Sequence, residues 1–346
     1  MNRFLIISIV LIAISCRKEK YETGHFRETV TNFGEVNTEF DDYNSTAPFI
    51  YYQYLFHFSS NRNSSGNDYD IVGENMYIDW SKTNGTLEIG TDLDDDRFDY
   101  LVPMFDSINT SCNELGPYSL GYRQDISYTE VLWTDLLLYS SDCNGNYDIK
   151  FIYSELYNNS DTIVTEIKPV KDLDFINTDK NELYPSFYGI DYYEVDEYGL
   201  DVSKIEKLIY CSDIEGVYNI YEVDFSSDST LVQSLIENTA TEPQKLLINS
   251  NYDDKCPFIN GKLLVFASNR AGGYGGYDLY YSLNKNGVWS VPINFGESVN
   301  SEYDEYRPIV LRFWKFDNNL MIFSSNRPGG KGGFDLYHVG IKQLIE

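Results

Sequence analysis

The stretch FASNR at Phe266–Arg270, followed by a glycine-rich turn and by YDLY at Tyr277–Tyr280, decides the fold of this 346-residue chain. The pattern returns as FSSNR at Phe323–Arg327, again followed by paired glycines and by FDLY at Phe334–Tyr337. Weaker copies, which keep the polar turn and an aromatic residue before Asp or Asn, begin at Phe58, Tyr139 and Tyr210. A strand–turn–strand unit repeated five times predicts a β-propeller of five blades.

Prolines upstream of the copies form a second repeated feature. They are Pro48, Pro117, Pro185, Pro257 and Pro308. Proline cannot sit in the middle of a paired strand, so we expect each one to mark the start of a blade's innermost strand. The segments between proline and turn are rich in Tyr, Phe, Ile and Val, which favours strands over helices.

The two ends of the chain are expected to share a blade. Copy four continues into an outer segment, residues 294–306, whereas copy five stops at Glu346 without one. Residues 32–43 match that outer segment closely. We therefore predict an all-β, five-bladed propeller over residues 26–346, in which an N-terminal strand at 30–33 pairs with 335–339 and completes the last blade.

The polar positions of the repeat are predicted to be structural. They are Asn61, Arg62, Asp70, Asp142, Asp148, Asp213, Asn219, Asn269, Arg270, Asp278, Asn326, Arg327 and Asp335. We expect each arginine to pair with the Asp of the aromatic–Asp unit, as Arg62 with Asp70, Arg270 with Asp278 and Arg327 with Asp335. The alternative is a Ca²⁺ site, since carboxylates and loop carbonyls are its usual ligands. No other metal or cofactor is expected.

The repeat resembles the WD40-like propeller repeat of TolB-type proteins, whose consensus is close to Phe-Ser-Ser-Asn/Asp-Arg-x-Gly-Gly-x-x-Asp-Leu-Tyr. The resemblance is strong over 257–341, moderate over 48–73 and 117–150, and weak over 185–222. It implies a protein–protein contact role in the cell envelope, as in Bacteroidetes-type envelope lipoproteins. It brings no catalytic residues.

The first sixteen residues are typical of a lipoprotein signal peptide. A positive start at Arg3 precedes an apolar run, Phe4–Ile14, which is too short to span a bilayer. The segment then ends on Ala13–Cys16, which resembles a lipobox. We expect residues 1–16 to be the signal, Cys16 to carry lipid, residues 17–25 to be a tether, and the protein to be anchored at the outer membrane, on its periplasmic or its surface face.

Cysteine count and charge add two expectations. Four cysteines follow the signal, and an exported protein permits two disulfides. We predict Cys112–Cys143 first and Cys211–Cys256 second, with free buried thiols as the alternative. The formal net charge of −28 argues against binding to nucleic acid or to anionic lipid.

Function is expected to be non-enzymatic docking of an envelope protein. The alternative is a carbohydrate-binding or glycoside-processing propeller, because paired carboxylates on inner strands could face a central pocket. The catalytic candidates for that alternative are Asp125, Asp191 and Glu194. Tyrosines that could stack on a sugar are Tyr51, Tyr52, Tyr188, Tyr192 and Tyr193.

Overall fold

The computed structural model describes most of the chain as an all-β protein. The described residues are 20–50, 53–91, 101–127, 130–158, 163–189, 195–196, 199–200, 202–225, 230–237 and 240–344. Five separate antiparallel sheets follow one another along the chain and are arranged as a five-bladed β-propeller. The predicted fold class is confirmed.

The strands are numbered in chain order. The ring-closing strand is β1 (Thr31–Asn32). Blade 1 contains β2 (Asp42–Thr46), β3 (Phe49–Ile50), β4 (Gln53–Ser60), β5 (Asp70–Ser81) and β6 (Thr86–Thr91). Blade 2 contains β7 (Glu114–Asp125), β8 (Val131–Ser141), β9 (Asp148–Asn158), β10 (Ile163–Ile167) and β11 (Lys171–Asp172). Blade 3 begins with β12 (Glu182–Tyr188), is followed by a hairpin of β13 (Val195–Asp196) and β14 (Gly199–Leu200), and resumes with β15 (Lys207–Ser212), β16 (Asn219–Asp224) and β17 (Gln244–Lys245).

Blades 4 and 5 have the strongest sequence repeats. Blade 4 contains β18 (Asp254–Asn260), β19 (Leu263–Ser268), β20 (Asp278–Lys285), β21 (Val288–Trp289) and β22 (Ile293–Asn294). Blade 5 contains β23 (Glu305–Leu311), β24 (Asn318–Ser325) and β25 (Asp335–Lys342). Short helices α1 (Val102–Ile108) and α2 (Leu231–Glu237) and a 3-10 turn (Val202–Lys204) lie in connections.

Strand β1 completes blade 5. It pairs antiparallel with β25, with Thr31 opposite His338 and Asn32 opposite Tyr337. The Phe33 amide continues the contact by donating to the Leu336 carbonyl at 2.9 Å. The predicted closure by the N-terminal strand is therefore confirmed. Within the predicted tether, the Gly24 amide donates to Lys315 O at 2.7 Å, so this part of the segment contacts blade 5.

One backbone hydrogen bond repeats at all five blade junctions. The amide of the acidic residue that begins each inner strand donates to the carbonyl of the aromatic residue in the preceding blade. The pairs are Asp42 with Phe334 at 2.8 Å, Glu114 with Tyr69 at 2.7 Å, Glu182 with Tyr147 at 2.7 Å, Asp254 with Tyr218 at 2.8 Å, and Glu305 with Tyr277 at 2.8 Å. Because the junction between blades 5 and 1 has the same bond as the others, the ring closes without an exceptional interface.

The inner strands all break register at one place. Two residues after the acid, the backbone takes a positive φ and the pairing shifts by a β-bulge. The bulge residues are Asn44 (φ 61°), Gly116 (59°), Tyr184 (59°), Cys256 (55°) and Arg307 (43°). A proline follows the bulge in blades 2 to 5. The proline therefore lies inside the inner strand, at a bulge that spares its missing amide, and not at the strand start as predicted.

Blade 1 departs from this pattern. Ser45 stands where the other blades have proline, and Pro48 lies three residues further on, outside β2. The assignment of Pro48 as the equivalent proline is wrong. Near the axis, Phe258 of β18 packs against three of the apolar clusters that lie between blades, so the interior is filled by side chains.

Candidate functional site

Each inner strand begins with a carboxylate that is completely buried. These are Asp42, Glu114, Glu182, Asp254 and Glu305, all 0% exposed. Each accepts hydrogen bonds from both the amide and the hydroxyl of a Ser or Thr four residues earlier: Thr38, Thr110, Thr178, Ser250 and Ser301. Buried charges need such partners, so this network is part of the scaffold beneath the site.

An asparagine directly before that Ser or Thr ties the network to the outer strands. In each blade, its side chain accepts from the amide and donates to the carbonyl of one residue on the third strand. The pairs are Asn37–Leu336, Asn109–Ile71, Asn177–Ile149, Asn249–Ile220 and Asn300–Leu279. The sequence signal is the spacing Asn-Ser/Thr-x-x-x-Asp/Glu, which precedes the inner strand of every blade and occurs once more at Asn63–Asp68. The sequence prediction of the repeat did not include it.

The repeat arginines pair with these buried acids, and not with the Asp of the aromatic–Asp unit. Arg62 contacts Asp42 at 2.7 Å, and the same pairing joins Arg270 to Asp254 at 2.5 Å and Arg327 to Glu305 at 2.7 Å. The predicted pairings Arg62–Asp70, Arg270–Asp278 and Arg327–Asp335 are wrong. In the two strong copies the aromatic–Asp carboxylate instead accepts turn amides, as Asp278 does from Tyr274 at 2.7 Å and Asp335 does from Gly332 at 3.2 Å. Because turn amides already donate to this carboxylate, it does not require an arginine as a partner.

Blades 2 and 3 have no arginine at this position. Cys143 replaces it in blade 2 and forms a disulfide with Cys112, with the Cα atoms 5.3 Å apart. This is the disulfide that was predicted first. Without a cation, burial is the largest influence on Glu114 and raises its pKa to about 7. The second predicted disulfide is not formed, since Cys211 and Cys256 are free and buried.

An Asp and an Asn face each other at the top of every blade, and their order is exchanged between blades. The residue before the buried acid pairs with a residue of the polar turn. The pairs are Asp41–Asn61, Asn113–Asp142, Asn181–Asp213, Asp253–Asn269 and Asp304–Asn326. One carboxylate and one amide can donate and accept between them, whereas two carboxylates would repel each other. This explains why Asn61, Asp142, Asp213, Asn269 and Asn326 recur in the repeat.

Above this scaffold, half-buried aromatic side chains form a ring, which we call the axial mouth. It contains Tyr43, Tyr69, Tyr147, Tyr218, Tyr277, Tyr306 and Phe334, with Leu115, Leu183 and Lys255 between them in ring order. Neighbouring ring centroids lie 4.6 Å apart for Tyr277–Tyr306, 5.0 Å for Tyr43–Tyr69 and 5.7 Å for Tyr43–Phe334. The rings from Tyr277 through Tyr306, Phe334 and Tyr43 to Tyr69 therefore form a continuous aromatic arc in the mouth.

Polar contacts fix the orientation of the mouth. The hydroxyls of Tyr69 and Tyr277 donate to Asp41 and Asp253, each at 2.6 Å. Lys255 places its ammonium 3.8 Å from the centroid of Tyr218. Burial is the largest influence on Tyr69 and raises its pKa above the ordinary value, so the phenol stays neutral at physiological pH.

Arg307 forms the floor of the mouth. Its side chain is 0% exposed, and its guanidinium donates to backbone carbonyls of three other blades. The acceptors are Pro257 O at 3.1 Å, Pro185 O at 3.2 Å, Pro117 O at 3.3 Å and Tyr184 O at 3.5 Å. Carbonyls from different blades converge on one guanidinium, which places it on the propeller axis.

Of the three residues predicted to be catalytic, the structure describes only Asp125. Asp125 is exposed at the end of β7 and is paired with Arg123 at 2.7 Å. Asp191 and Glu194 lie outside the described residues, as do Tyr51, Tyr52, Tyr192 and Tyr193. Tyr188 is buried against Trp289.

The described part of the chain shows neither a candidate metal site nor a membrane-spanning helix. It contains no group of three or more His, Cys, Asp or Glu side chains placed to hold a metal ion. Among the same residues, no helix has the length and apolar character needed to cross a bilayer.

Comparison with known proteins gives similarity at the level of structure. No family model and no curated protein sequence matches the chain. Among solved structures, a GH62 hydrolase in complex with xylotriose is similar over 94% of this chain and 98% of its own, with 12% identity and a TM-score of 0.50. An α-L-arabinofuranosidase from Lactobacillus brevis is similar over 90% of this chain and 93% of its own, with 9% identity and a TM-score of 0.43. A protein of unknown function from Dyadobacter fermentans is similar over 91% of this chain and 98% of its own, with 8% identity and a TM-score of 0.41. At 12% identity, the similarity to the GH62 hydrolase shows a shared fold.

Proposed function

We propose that this protein is a carbohydrate-binding propeller that takes a glycan at the axial mouth. The first expectation, a non-enzymatic docking scaffold for an envelope protein, is overturned by the comparison, because the similar solved structures include glycoside hydrolases with five-bladed propellers. The alternative expectation, a carbohydrate-binding or glycoside-processing propeller, takes its place.

The observation that carries this proposal is the ring of seven aromatic side chains around the axis. Sugars present flat C–H faces that pack on aromatic rings and hydroxyl groups that need polar partners at the edge. The mouth offers both, since tyrosine combines an apolar ring with a hydroxyl. The contacts from Tyr69 to Asp41 and from Tyr277 to Asp253 hold the rings in place before a ligand arrives, which lowers the entropic cost of binding.

Titration calorimetry with xylotriose and arabinobiose tests the proposal. Leucine already occupies the positions of Leu115 and Leu183, which are equivalent to Tyr43 and Tyr306, so Tyr43→Leu and Tyr306→Leu should keep the fold. We expect each variant to weaken binding by about tenfold, or about 1.4 kcal/mol. Tyr77→Leu is the control, because Tyr77 is 41% exposed on β5, away from the axis. Equal loss in all three variants, or no binding by the native protein, would contradict the proposal.

Glycoside processing is a separate question with its own assay. If the protein cleaves its glycan, a triple variant Asp125→Asn, Asp191→Asn and Glu194→Gln should abolish the release of reducing ends while glycan binding persists. Unchanged release would remove those three carboxylates from the mechanism.

We further propose that the protein is exported and lipid-anchored through Cys16 at the outer membrane, and that its repeats are related to the TolB-type repeat. The support is the signal-like segment at residues 1–16 and the repeat consensus around Arg270 and Arg327. Metabolic labelling with a fatty acid tests the anchor. Native protein should be labelled and found in membranes, whereas Cys16→Ser protein should be neither.

A further inference from the structure

Arg307 carries a buried charge for which the structure shows no counter-charge. No Asp or Glu carboxylate of the described residues lies within 4.0 Å of its guanidinium, and its four hydrogen-bond acceptors are all neutral carbonyls. Other buried guanidinium contacts in this protein do have an acid, as Arg327 has Glu305. A fully buried ion is costly unless it is paired.

Among the described residues, no carboxylate is one of the largest influences on the pKa of Arg307. Burial is the main influence on its pKa and lowers it, and the groups that act in the opposite direction are Cys256, Tyr184, Cys211 and Tyr118. No carboxylate is among them. The buried acids at the strand starts already have their own Ser, Thr or Arg partners.

Unpartnered polar atoms belong to residues on two inner strands that pack against each other, those of blades 5 and 1. They are Arg307 Nε, both Asn44 side-chain atoms (Oδ1 and Nδ2) and Ser45 Oγ, and all three residues are 0% exposed. Asn44 and Arg307 occupy the same bulge position in adjacent blades, on strands that pack against each other. Arg307 Nε, Asn44 Nδ2 and Ser45 Oγ can each donate a hydrogen bond, and buried donors without an acceptor are rare in folded proteins.

We propose that the propeller axis binds one small anion, a halide or the carboxylate of an acidic ligand, between Arg307, Asn44 and Ser45. The anion supplies the missing counter-charge and accepts from the unpartnered donors. This site does not depend on the glycan, because it concerns the floor of the mouth and not its aromatic rim.

Bromide is the probe, because its anomalous scattering identifies it in a crystal. Crystals of the native protein soaked in sodium bromide should show one anomalous peak in contact with Arg307 Nε and Asn44 Nδ2. Asn44→Gly is the matched variant, since Gly116 has almost the same φ in blade 2, and it should lose the peak while keeping the fold. A water molecule at this place in native crystals, without anomalous signal, would overturn the proposal.

Solution measurements separate the two sources of the anion. Compared with sodium sulfate at equal ionic strength, sodium chloride should raise the melting temperature of the native protein by about 3 °C, and the rise should saturate with concentration. The melting temperature of Asn44→Gly should not change. Glucuronate should compete with chloride for the same shift if the anion is a ligand carboxylate, and glucose should not. Competition identifies a ligand carboxylate, and its absence with a chloride shift identifies a halide. Equal shifts in native protein and Asn44→Gly would refute the site, whether or not xylotriose binds.

Discussion

Cys143 occupies in blade 2 the position that Arg62 occupies in blade 1, so the Cys112–Cys143 disulfide stands where blade 1 has an ion pair. Both devices join the region where the inner strand begins to the turn after the second strand. In blade 1 the link is electrostatic, through Asp42. In blade 2 it is covalent, and Glu114 remains without a cation.

The first prediction concerns this exchange. Cys143→Ser should lower the free energy of unfolding by about 3–4 kcal/mol, because the disulfide closes a loop of 31 residues in the unfolded chain. The double variant Cys112→Phe/Cys143→Arg copies blade 1 and provides a cation for Glu114, so it should recover part of the loss. Denaturant titration measures both, and a double variant no more stable than Cys143→Ser would show that the two links are not equivalent.

The second prediction concerns pH. The folded pKa of Glu114 is about 7, above its unfolded value, so the folded state binds the extra proton between the two values. The contribution of Glu114 to stability is therefore full below the unfolded pKa and is lost as pH rises through 7. Glu114→Gln should remove a fall of about 2 kcal/mol between pH 5 and pH 8. Thermal unfolding across this range checks it, with the exposed Asp125→Asn as control. Parallel plots of stability against pH for native and Glu114→Gln protein would contradict a raised pKa of Glu114 in the folded state.

The third prediction tests the arginine–acid pairing. Arg327→Ile leaves Glu305 with Ser301 and Ser325 as donors, the situation that Glu182 has in blade 3, where Ile214 stands at the arginine position. The expected loss is about 2 kcal/mol of unfolding free energy, typical of a hydrogen bond to a charged group. Removing the aromatic–Asp carboxylate with Asp335→Asn should not weaken the effect of Arg327→Ile. Strong coupling between these two changes would instead support a pair between Arg327 and Asp335.

The fourth prediction tests the Asp–Asn exchange. Asn269→Asp places two carboxylates opposite each other, Asp253 and the new one, and should cost about 1 kcal/mol or more. The double variant Asp253→Asn/Asn269→Asp recreates the order of blades 2 and 3 and should recover most of that loss. A double-mutant cycle gives the coupling energy directly. Additive losses would mean that the pair does not interact.

The closing strand was predictable because residues 32–43 repeat a segment whose place in a blade was already known. The arginine pairing was not, because sequence proximity favoured the carboxylate eight residues away, whereas the fold brings a buried acid from the start of the inner strand. The disulfide of blade 2 followed from placing Cys112 and Cys143 at the same end of one blade.

The axial mouth was missed for a different reason. Its members come from two repeat positions, the residue after the buried acid and the aromatic residue before the turn Asp, and these meet only between blades. Tyr306 and Tyr277 are 29 positions apart in sequence, yet their rings lie 4.6 Å apart. Aligning the repeats by both positions would have revealed the ring. The other blades have no arginine at the bulge position of Arg307, so the repeat could not indicate the floor of the mouth.

A crystal structure of the protein soaked with an oligosaccharide such as xylotriose tests the central claim most directly. Electron density for a sugar ring packed on Tyr43 and Tyr306, above Arg307, is the predicted result. Sugar density confined to an outer groove, such as the one between Phe26 and Ile89, with an empty mouth, would contradict it.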